Sequence, residues 1–169
     1  MSYSAPRVAI IGGGIGGLTL ALALRARGIR ADVYEQAPQL REVGAAVALS
    51  ANGTRLLRQL GVGEELAACS AQPTELIYRH WRDGHRIAAH TAGAHYEERF
   101  GAPYYGVHRA DLQRILATAC GTQRVHLDSR LVNMTPPTTA SASSSPADTP
   151  PTPTWSWAPT ACTPQSASG

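Results

Sequence analysis

RVAIIGGGIGGL, residues 7–18, holds a short apolar run that leads directly into a cluster of glycines. The run is rich in β-branched residues and is typical of a buried parallel strand. Gly12, Gly14 and Gly17 satisfy the pattern G-x-G-x-x-G, and apolar residues from Leu18 onward recur with helical spacing. In a strand–turn–helix unit Gly12 permits a tight turn, Gly14 lets the backbone approach a pyrophosphate, and Gly17 brings the helix close to the sheet.

A second strand and an acidic residue follow where a dinucleotide site requires them. Gly28 is placed to end the helix in a left-handed conformation, and residues 31–35 form the next β-rich run, which ends at Glu35. A carboxylate at the end of that strand can accept hydrogen bonds from ribose hydroxyls, and the helix N-terminus offers free N–H groups to phosphates. A glycine-rich turn beside a solvent-facing acid is the simpler alternative, but the complete series favours a dinucleotide site. The predicted cofactor contacts in this part of the chain are Gly12, Gly14, Ile15, Gly16, Gly17, Glu35 and Gln36.

Composition excludes several classes of function. The formal charge of +3 over 169 residues comes from arginines that are scattered, so no nucleic-acid partner is expected. Three cysteines lie far apart and fit neither a disulfide framework nor a zinc site, which suits a reducing, cytoplasmic location. The apolar residues 8–24 are interrupted by glycines and followed at once by Arg25 and Arg27, so we predict a buried helix and no membrane contact.

The residues after Glu35 resemble the flavin-dependent aromatic hydroxylases, the single-component FAD monooxygenases related to salicylate and hydroxybenzoate hydroxylases. In that family a "GAGI-x-L-x-x-N" segment runs beside the flavin, and here the chain reads GAAVALSAN over residues 44–52. Some members carry a catalytic histidine at the position of Ala48, so the resemblance implies only a backbone contact from this residue. The resemblance covers residues 5–134, which corresponds to the N-terminal third of a typical member.

Three later elements extend the resemblance. The segment VHRADL, residues 107–112, is similar to the family's "hR-x-dL" element, which implies that Arg109 reaches the FAD from just ahead of a helix. Residues 75–84 predict a hairpin strand that ends in an Asp-Gly turn, and they match the family's β excursion. Leu131, after a core strand at 124–127, falls where relatives place an adenine-side contact.

The resemblance implies a truncated α/β, Rossmann-like FAD-binding domain of the glutathione-reductase type, with a small β excursion. It also implies an FAD-dependent monooxygenase that uses NADH or NADPH as co-substrate and hydroxylates a small aromatic, phenolic acid-like substrate. Within this chain we expect cofactor-contact residues but no catalytic residue, and we expect the 169-residue chain alone to bind FAD weakly or not at all and to show no turnover. Two alternatives stay open at this point, namely the half-domain of an NAD-dependent dehydrogenase and a non-catalytic nucleotide-binding module. The choice of aromatic substrate, the choice of pyridine nucleotide and the oligomeric state are not encoded in these residues.

Residues 135–169 differ in kind from everything before them. They consist mostly of Ser, Thr, Pro and Ala, a composition that predicts disorder. When their codons are read two bases later, with G or C at nearly all free third positions, residues 155–166 become VVGADGVHSAVR. That string resembles the second fingerprint of the same family, "aDLvvGADGvhSavR". We therefore expect the tail to be out-of-frame translation after a slip between about 131 and 137, with a genuine disordered extension as the alternative.

Four histidines recur at a spacing of five residues, namely His80, His85, His90 and His95. A step of five rotates a helix by about 140° and reverses the face of a strand, so successive members are not expected to converge. The sequence therefore predicts no metal site. The segment 97–99, Glu-Glu-Arg, predicts a solvated loop.

Overall fold

The computed structural model describes residues 7–40, 45–135 and 154–158. It confirms a mixed α/β chain with the expected strand–turn–helix–strand unit at its start. The elements in chain order are β1 (Val8–Ile11), α1 (Ile15–Arg25), β2 (Ala31–Tyr34), β3 (Ala46–Leu49), α2 (Ala51–Gln59), α3 (Gly63–Cys69), β4 (Glu75–Arg79), β5 (Arg86–Thr91), α4 (Ala94–Phe100), β6 (Tyr105–His108), α5 (Arg109–Cys120), β7 (Val125–His126), β8 (Arg130–Thr135) and β9 (Thr154–Ala158).

A three-stranded parallel sheet in the order β1–β2–β7 forms the base of the structure. β1 and β2 are joined through α1, so the β1–α1–β2 crossover returns the chain to the neighbouring parallel position. The described residues place no strand on the other side of β1, and Ile11 at the end of that strand is 52% exposed.

The hydrophobic core lies between α1, the parallel sheet and α5. Leu18 and Leu22 of α1 are almost fully buried, as are Leu112 and Leu116 of α5, and the two helices pack against each other. The apolar side chains of α5 therefore form the face by which this helix contacts α1. Because α5 begins directly after β6, this packing also fixes the position of the β3–β6 pair relative to α1.

The predicted β excursion is a separate antiparallel hairpin of β4 and β5. Its turn contains Asp83 and Gly84, and Gly84 has φ +73°, which an L side chain adopts only with strain. Large side chains of the hairpin are exposed, including Tyr78 and Trp81, so the hairpin contributes little to the core.

Two expectations need correction. Glu97 and Arg99 lie in α4 rather than in a loop, although the segment is as well solvated as expected and Glu97 pairs with Arg58 at 2.8 Å on the surface. Residues Thr154–Ala158, which were expected to be disordered, form β9 and pair antiparallel with β8. Their Thr-Trp-Ser-Trp-Ala sequence is rich in residues that favour strands, which gives the segment a reason to pair. The other residues of the predicted tail, from 136 onward, lie outside the described residues.

Among the helices that the structure describes, none has the length and apolar character needed to cross a bilayer.

Candidate functional site

The glycine turn between β1 and α1 is built by contacts that only glycine permits. Gly12 has φ +104°, and its N–H donates to the carbonyl oxygen of Tyr34 at 2.8 Å. A Cβ on Gly17 would lie 2.1 Å from the Gly12 carbonyl oxygen, far inside van der Waals contact. The loop between β1 and α1 therefore crosses directly over the first turn of α1. This is the close approach of helix and sheet predicted for the third glycine of the motif, Gly17.

The outer side of the same turn is open. A Cβ built on Gly12 or on Gly16 meets no heavy atom within 4 Å. α1 begins at Ile15 with Gly14 as its N-cap, and the N–H groups of the first helical turn have no intrahelical acceptor. No acidic residue lies in that turn, so the partial positive charge of the helix end is not neutralised from within the helix. The open space, the N–H donors and the positive electrostatic potential at the start of α1 together suit an anionic pyrophosphate.

Glu35 closes the turn from the end of β2. Its Oε2 accepts a hydrogen bond from the Gly13 N–H at 2.7 Å, and its Oε1 accepts one from the Ala37 N–H at 2.9 Å. The carboxylate is thus fixed beside the glycine turn by two backbone donors. A carboxylate has about four acceptor positions, so two remain for ribose hydroxyls. Gln36, also predicted as a contact, is exposed between these two anchors.

Leu131 lies close to this acid through the chain that precedes it. The Ser129 N–H donates to the Glu35 carbonyl oxygen at 2.9 Å, and the Asp128 N–H donates to the Ala37 carbonyl oxygen at 3.1 Å. Leu131 follows two residues later in β8 and is half-buried. Leu131 therefore follows a segment that is hydrogen-bonded to the chain after β2, and its adenine-side contact stays a prediction.

The pairing of β3 with β6 brings together the chain segments that contain Ala48 and Arg109. Ala48 lies opposite Gly106, and Ala46 lies opposite His108, so two motifs separated by about sixty residues become neighbours. The Arg109 N–H also donates to the Ala45 carbonyl oxygen at 3.4 Å. Arg109 is the first residue of α5, one position later than the predicted place just ahead of the helix, and it is exposed.

Gln113 links α5 to the glycine turn and is not among the residues predicted from the sequence. Its Nε2 donates to the Gly13 carbonyl oxygen at 2.9 Å, and the side chain is 5% exposed. Residues four apart lie on the same face of a helix, so Arg109 and Gln113 both face the side of α5 that carries the glycine turn. A polar residue inside the apolar stripe between Leu112 and Ile115 was the available signal.

The predicted non-convergence of the histidines is wrong for the first pair. His80 and His85 stack at the tip of the β4–β5 hairpin, with ring centroids 4.8 Å apart. Both Nδ1 atoms lie within 2.8 Å of the Asp83 carboxylate oxygen Oδ1. Hydrogen bonds from the His85 backbone and ring hold the pKa of Asp83 below its ordinary value. A tight turn lies between these two residues, so the alternation of faces along a continuous strand does not apply to them.

Comparison with known proteins places this geometry in a family. The FAD binding domain family matches residues 6–140. The chain is 45% identical over 121 residues to the 3-amino-4-hydroxybenzoate 2-monooxygenase of Streptomyces cremeus, covering 72% of this chain and 31% of that protein. It is 39% identical over 116 residues to the 3-hydroxybenzoate 6-hydroxylase 1 of Aquipseudomonas alcaligenes, covering 67% and 29%.

Solved structures agree with these relatives. Klebsiella pneumoniae HpxO complexed with FAD and uric acid superposes with a TM-score of 0.66 at 32% identity, over 77% of this chain and 32% of that one. The tetrameric form of 2-methyl-3-hydroxypyridine-5-carboxylic acid oxygenase gives a TM-score of 0.64 at 27% identity, over 76% and 33%. The chain spans about a third of the length of the curated relatives that it matches. Its sequence, its fold and its glycine turn agree in one conclusion, which is that the chain belongs to the FAD binding domain family.

Proposed function

We propose that residues 5–134 form the part of an FAD site that holds the ADP half of the cofactor and borders the flavin, in a monooxygenase that hydroxylates a small aromatic ring. The observation that carries this proposal is the hydrogen bond from Gly13 N–H to the Glu35 carboxylate, because it sets the ribose acid against an open pyrophosphate turn. Membership of the FAD binding domain family sets aside the NAD-dependent dehydrogenase alternative.

Each residue has a distinct role in this proposal. The pyrophosphate would lie against the N–H groups that begin α1, from Ile15, Gly16 and Gly17, where Gly12 and Gly14 leave the backbone open. Glu35 would accept from the ribose hydroxyls, Gln36 would lie beside it, and Leu131 would contact the adenine.

The flavin side would use the paired β3 and β6. Ala48 would offer its backbone, since methyl is the whole of its side chain, and Arg109 would supply positive charge toward the phosphate or ribitol region. FAD, reduced by NADH or NADPH, would supply the oxygen chemistry when bound, and the protein would position it. We propose no catalytic residue within this chain.

The proposed role of Glu35 in FAD binding can be tested in a chimeric protein. Residues 7–131 would replace the matching part of the Streptomyces cremeus relative, which shares 45% identity. We expect a yellow protein that retains FAD through gel filtration and oxidises NADH or NADPH with an aromatic substrate. Glu35→Gln should weaken FAD binding at least tenfold, since it removes charge-assisted hydrogen bonds, whereas Glu64→Gln on exposed α3 should not. A folded chimera that binds no flavin would contradict the proposal.

For the 169-residue chain alone we expect weak FAD binding or none, because β1 lacks a neighbour on one side among the described residues. Titration of the purified chain with FAD should show no tight, saturable fluorescence quenching. Nanomolar binding would instead favour the alternative of a self-sufficient nucleotide-binding module.

We also propose that residues 135–169 are translated out of frame. The support is the two-base shift that turns residues 155–166 into the family's second fingerprint, in a chain without lysine whose composition suits a GC-rich gene. Formation of β9 is compatible with both interpretations of the tail, since the Thr-Trp-Ser-Trp-Ala sequence is the same in each. Re-reading the gene from the codon of Arg124 to several hundred bases past that of Gly169 tests this. A downstream frame without the fingerprint would support a genuine extension.

A further inference from the structure

The tip of the β4–β5 hairpin carries three side chains whose donor atoms converge. His80, Asp83 and His85 each offer one ligand atom, and these atoms all lie within 4.8 Å of one another. Two imidazole nitrogens and one carboxylate oxygen form a donor set that suits Zn²⁺ and its first-row neighbours. The cluster lies at the opposite end of the hairpin from the core and shares no residue with the FAD site.

The backbone of the tip holds these side chains in place. The His80 N–H donates to the His85 carbonyl oxygen at 2.8 Å, and the Gly84 N–H donates to the His80 carbonyl oxygen at 2.9 Å. The Arg79 guanidinium donates to the Gly84 carbonyl oxygen at 3.0 Å and closes the turn from the side. An ion would therefore not have to order a loose loop in order to bind, which lowers the entropic cost of binding.

The distances around Asp83 are close to those that a metal requires. His80 Nδ1 lies 2.8 Å and His85 Nδ1 lies 2.7 Å from Asp83 Oδ1. Adjacent ligands of an ion with bonds of about 2.0–2.1 Å are separated by about 2.9–3.4 Å. The two imidazole nitrogens, which lie within 4.8 Å of each other, have to approach by up to about 1.4–1.9 Å, a shift that exposed rings can make by rotating about their side-chain torsions.

The arginine side chains near the cluster make contacts of their own that keep them away from the three ligand atoms. The Arg82 guanidinium lies over the Trp81 ring, 5.0 Å from its centroid, and Arg86 pairs with Glu75 across the hairpin. Ion binding would replace the hydrogens now shared with Asp83, since each neutral imidazole can carry its hydrogen on Nε2 instead. Waters would fill the remaining positions because the tip is exposed.

We propose that His80, Asp83 and His85 form a binding site for one divalent transition-metal ion, with Zn²⁺ as the probe. Three protein ligands on a solvent-exposed turn should give a dissociation constant on the order of 10 μM rather than the tighter values of closed four-ligand sites. Cu²⁺ should bind more tightly than Zn²⁺, and Mg²⁺ should not bind, because imidazole is a poor ligand for it.

Isothermal titration of the full 169-residue chain, without an affinity tag, with ZnCl₂ tests the site. We expect one ion per chain, and a dissociation constant raised at least tenfold in the His80→Gln/His85→Gln variant and severalfold in Asp83→Asn. His90→Gln and His95→Gln are matched controls that should leave the dissociation constant unchanged. All the cysteines remain in every variant, so the differences in dissociation constant report the substituted side chains and not the thiols.

Circular dichroism of each variant verifies that the fold is retained, which is expected because all three side chains are solvent-accessible. Trp81 lies next to His80 and is 83% exposed, so Cu²⁺ should quench its fluorescence. A Trp81→Phe variant should bind Zn²⁺ normally and lose that part of the quenching. Absence of Zn²⁺ binding at 1 mM, or binding that survives the double histidine substitution, would overturn the proposal. Neither result bears on FAD binding.

Discussion

Gly16 and Gly17 are adjacent in sequence, but alanine at the two positions should have opposite effects on stability. Gly16 lies in the first turn of α1 without a positive φ, and a Cβ there meets nothing within 4 Å. Replacing a helical glycine by alanine at a compatible position stabilises a protein by about 0.5–1 kcal/mol, chiefly because the unfolded chain becomes less flexible. Gly16→Ala should therefore raise the free energy of unfolding by about that amount.

Gly17→Ala has no such room. Its Cβ would lie 2.1 Å from the Gly12 carbonyl oxygen and 3.2 Å from Ile10 Cγ2. The contact with oxygen has to lengthen by about 1 Å, and the atom in the way is backbone, so α1 has to move away from the sheet. Leu18, the next residue, is completely buried and would lose packing. Overpacking of this kind costs about 2–4 kcal/mol, a large share of a typical total of about 5–15 kcal/mol.

Urea unfolding followed by circular dichroism measures both effects. With a slope of about 2 kcal/mol per molar urea, Gly16→Ala should raise the midpoint by about 0.3–0.5 M and Gly17→Ala should lower it by about 1–2 M. Equal midpoints for the Gly17→Ala variant and the parent chain would refute the close crossing of turn and helix. A lower midpoint for Gly16→Ala would show that the outer side of the turn is filled.

Two further substitutions test the interior. Gln113→Leu should lower the free energy of unfolding by about 1–3 kcal/mol in the same urea assay, because it leaves the Gly13 carbonyl oxygen buried without its donor. As a control, Gln59→Leu at the exposed end of α2 should change the free energy of unfolding by less than about 0.5 kcal/mol. Burial raises the pKa of the Cys120 thiol. In single-cysteine variants, Cys120 should therefore react with a disulfide reagent at neutral pH more slowly than half-buried Cys69. Equal reaction rates would mean that α5 opens readily.

The ADP side of the candidate site could be read from the sequence because its geometry is local. Gly12, Gly17 and Glu35 lie within one β1–α1–β2 unit, in which the strand and helix lengths and the glycine positions leave little choice of arrangement. The flavin side depends on β3 pairing with β6, whose residues are about sixty positions apart. The local sequence pattern contains no information about which residues of β3 and β6 pair. Only the resemblance to a family therefore predicted that Ala48 and Arg109 contribute to one site.

Gln113 and the histidine pair were missed for related reasons. A buried amide within an apolar helical stripe is ambiguous until its acceptor is known, and that acceptor, the Gly13 carbonyl oxygen, is one hundred residues earlier in the chain. For His80 and His85 the error was one of periodicity. The rule that a five-residue step reverses the face of a strand holds only while the strand continues, and the Asp83-Gly84 turn interrupts the strand between the two histidines.

The ribose side and the flavin side of the candidate site also differ in the contacts that fix their positions. Glu35 is fixed by backbone donors on either side, from Gly13 and from Ala37, so its position depends on the β1–α1–β2 unit alone. Arg109 is exposed at the start of α5, and its position relative to the glycine turn depends on the packing of α5 against α1, to which Gln113 adds a buried hydrogen bond four residues further on. Loss of that bond should therefore loosen the flavin side while the ribose acid stays in place. In the chimera, Gln113→Leu should weaken the binding of FAD more than the binding of ADP, whereas Glu35→Gln should weaken both equally.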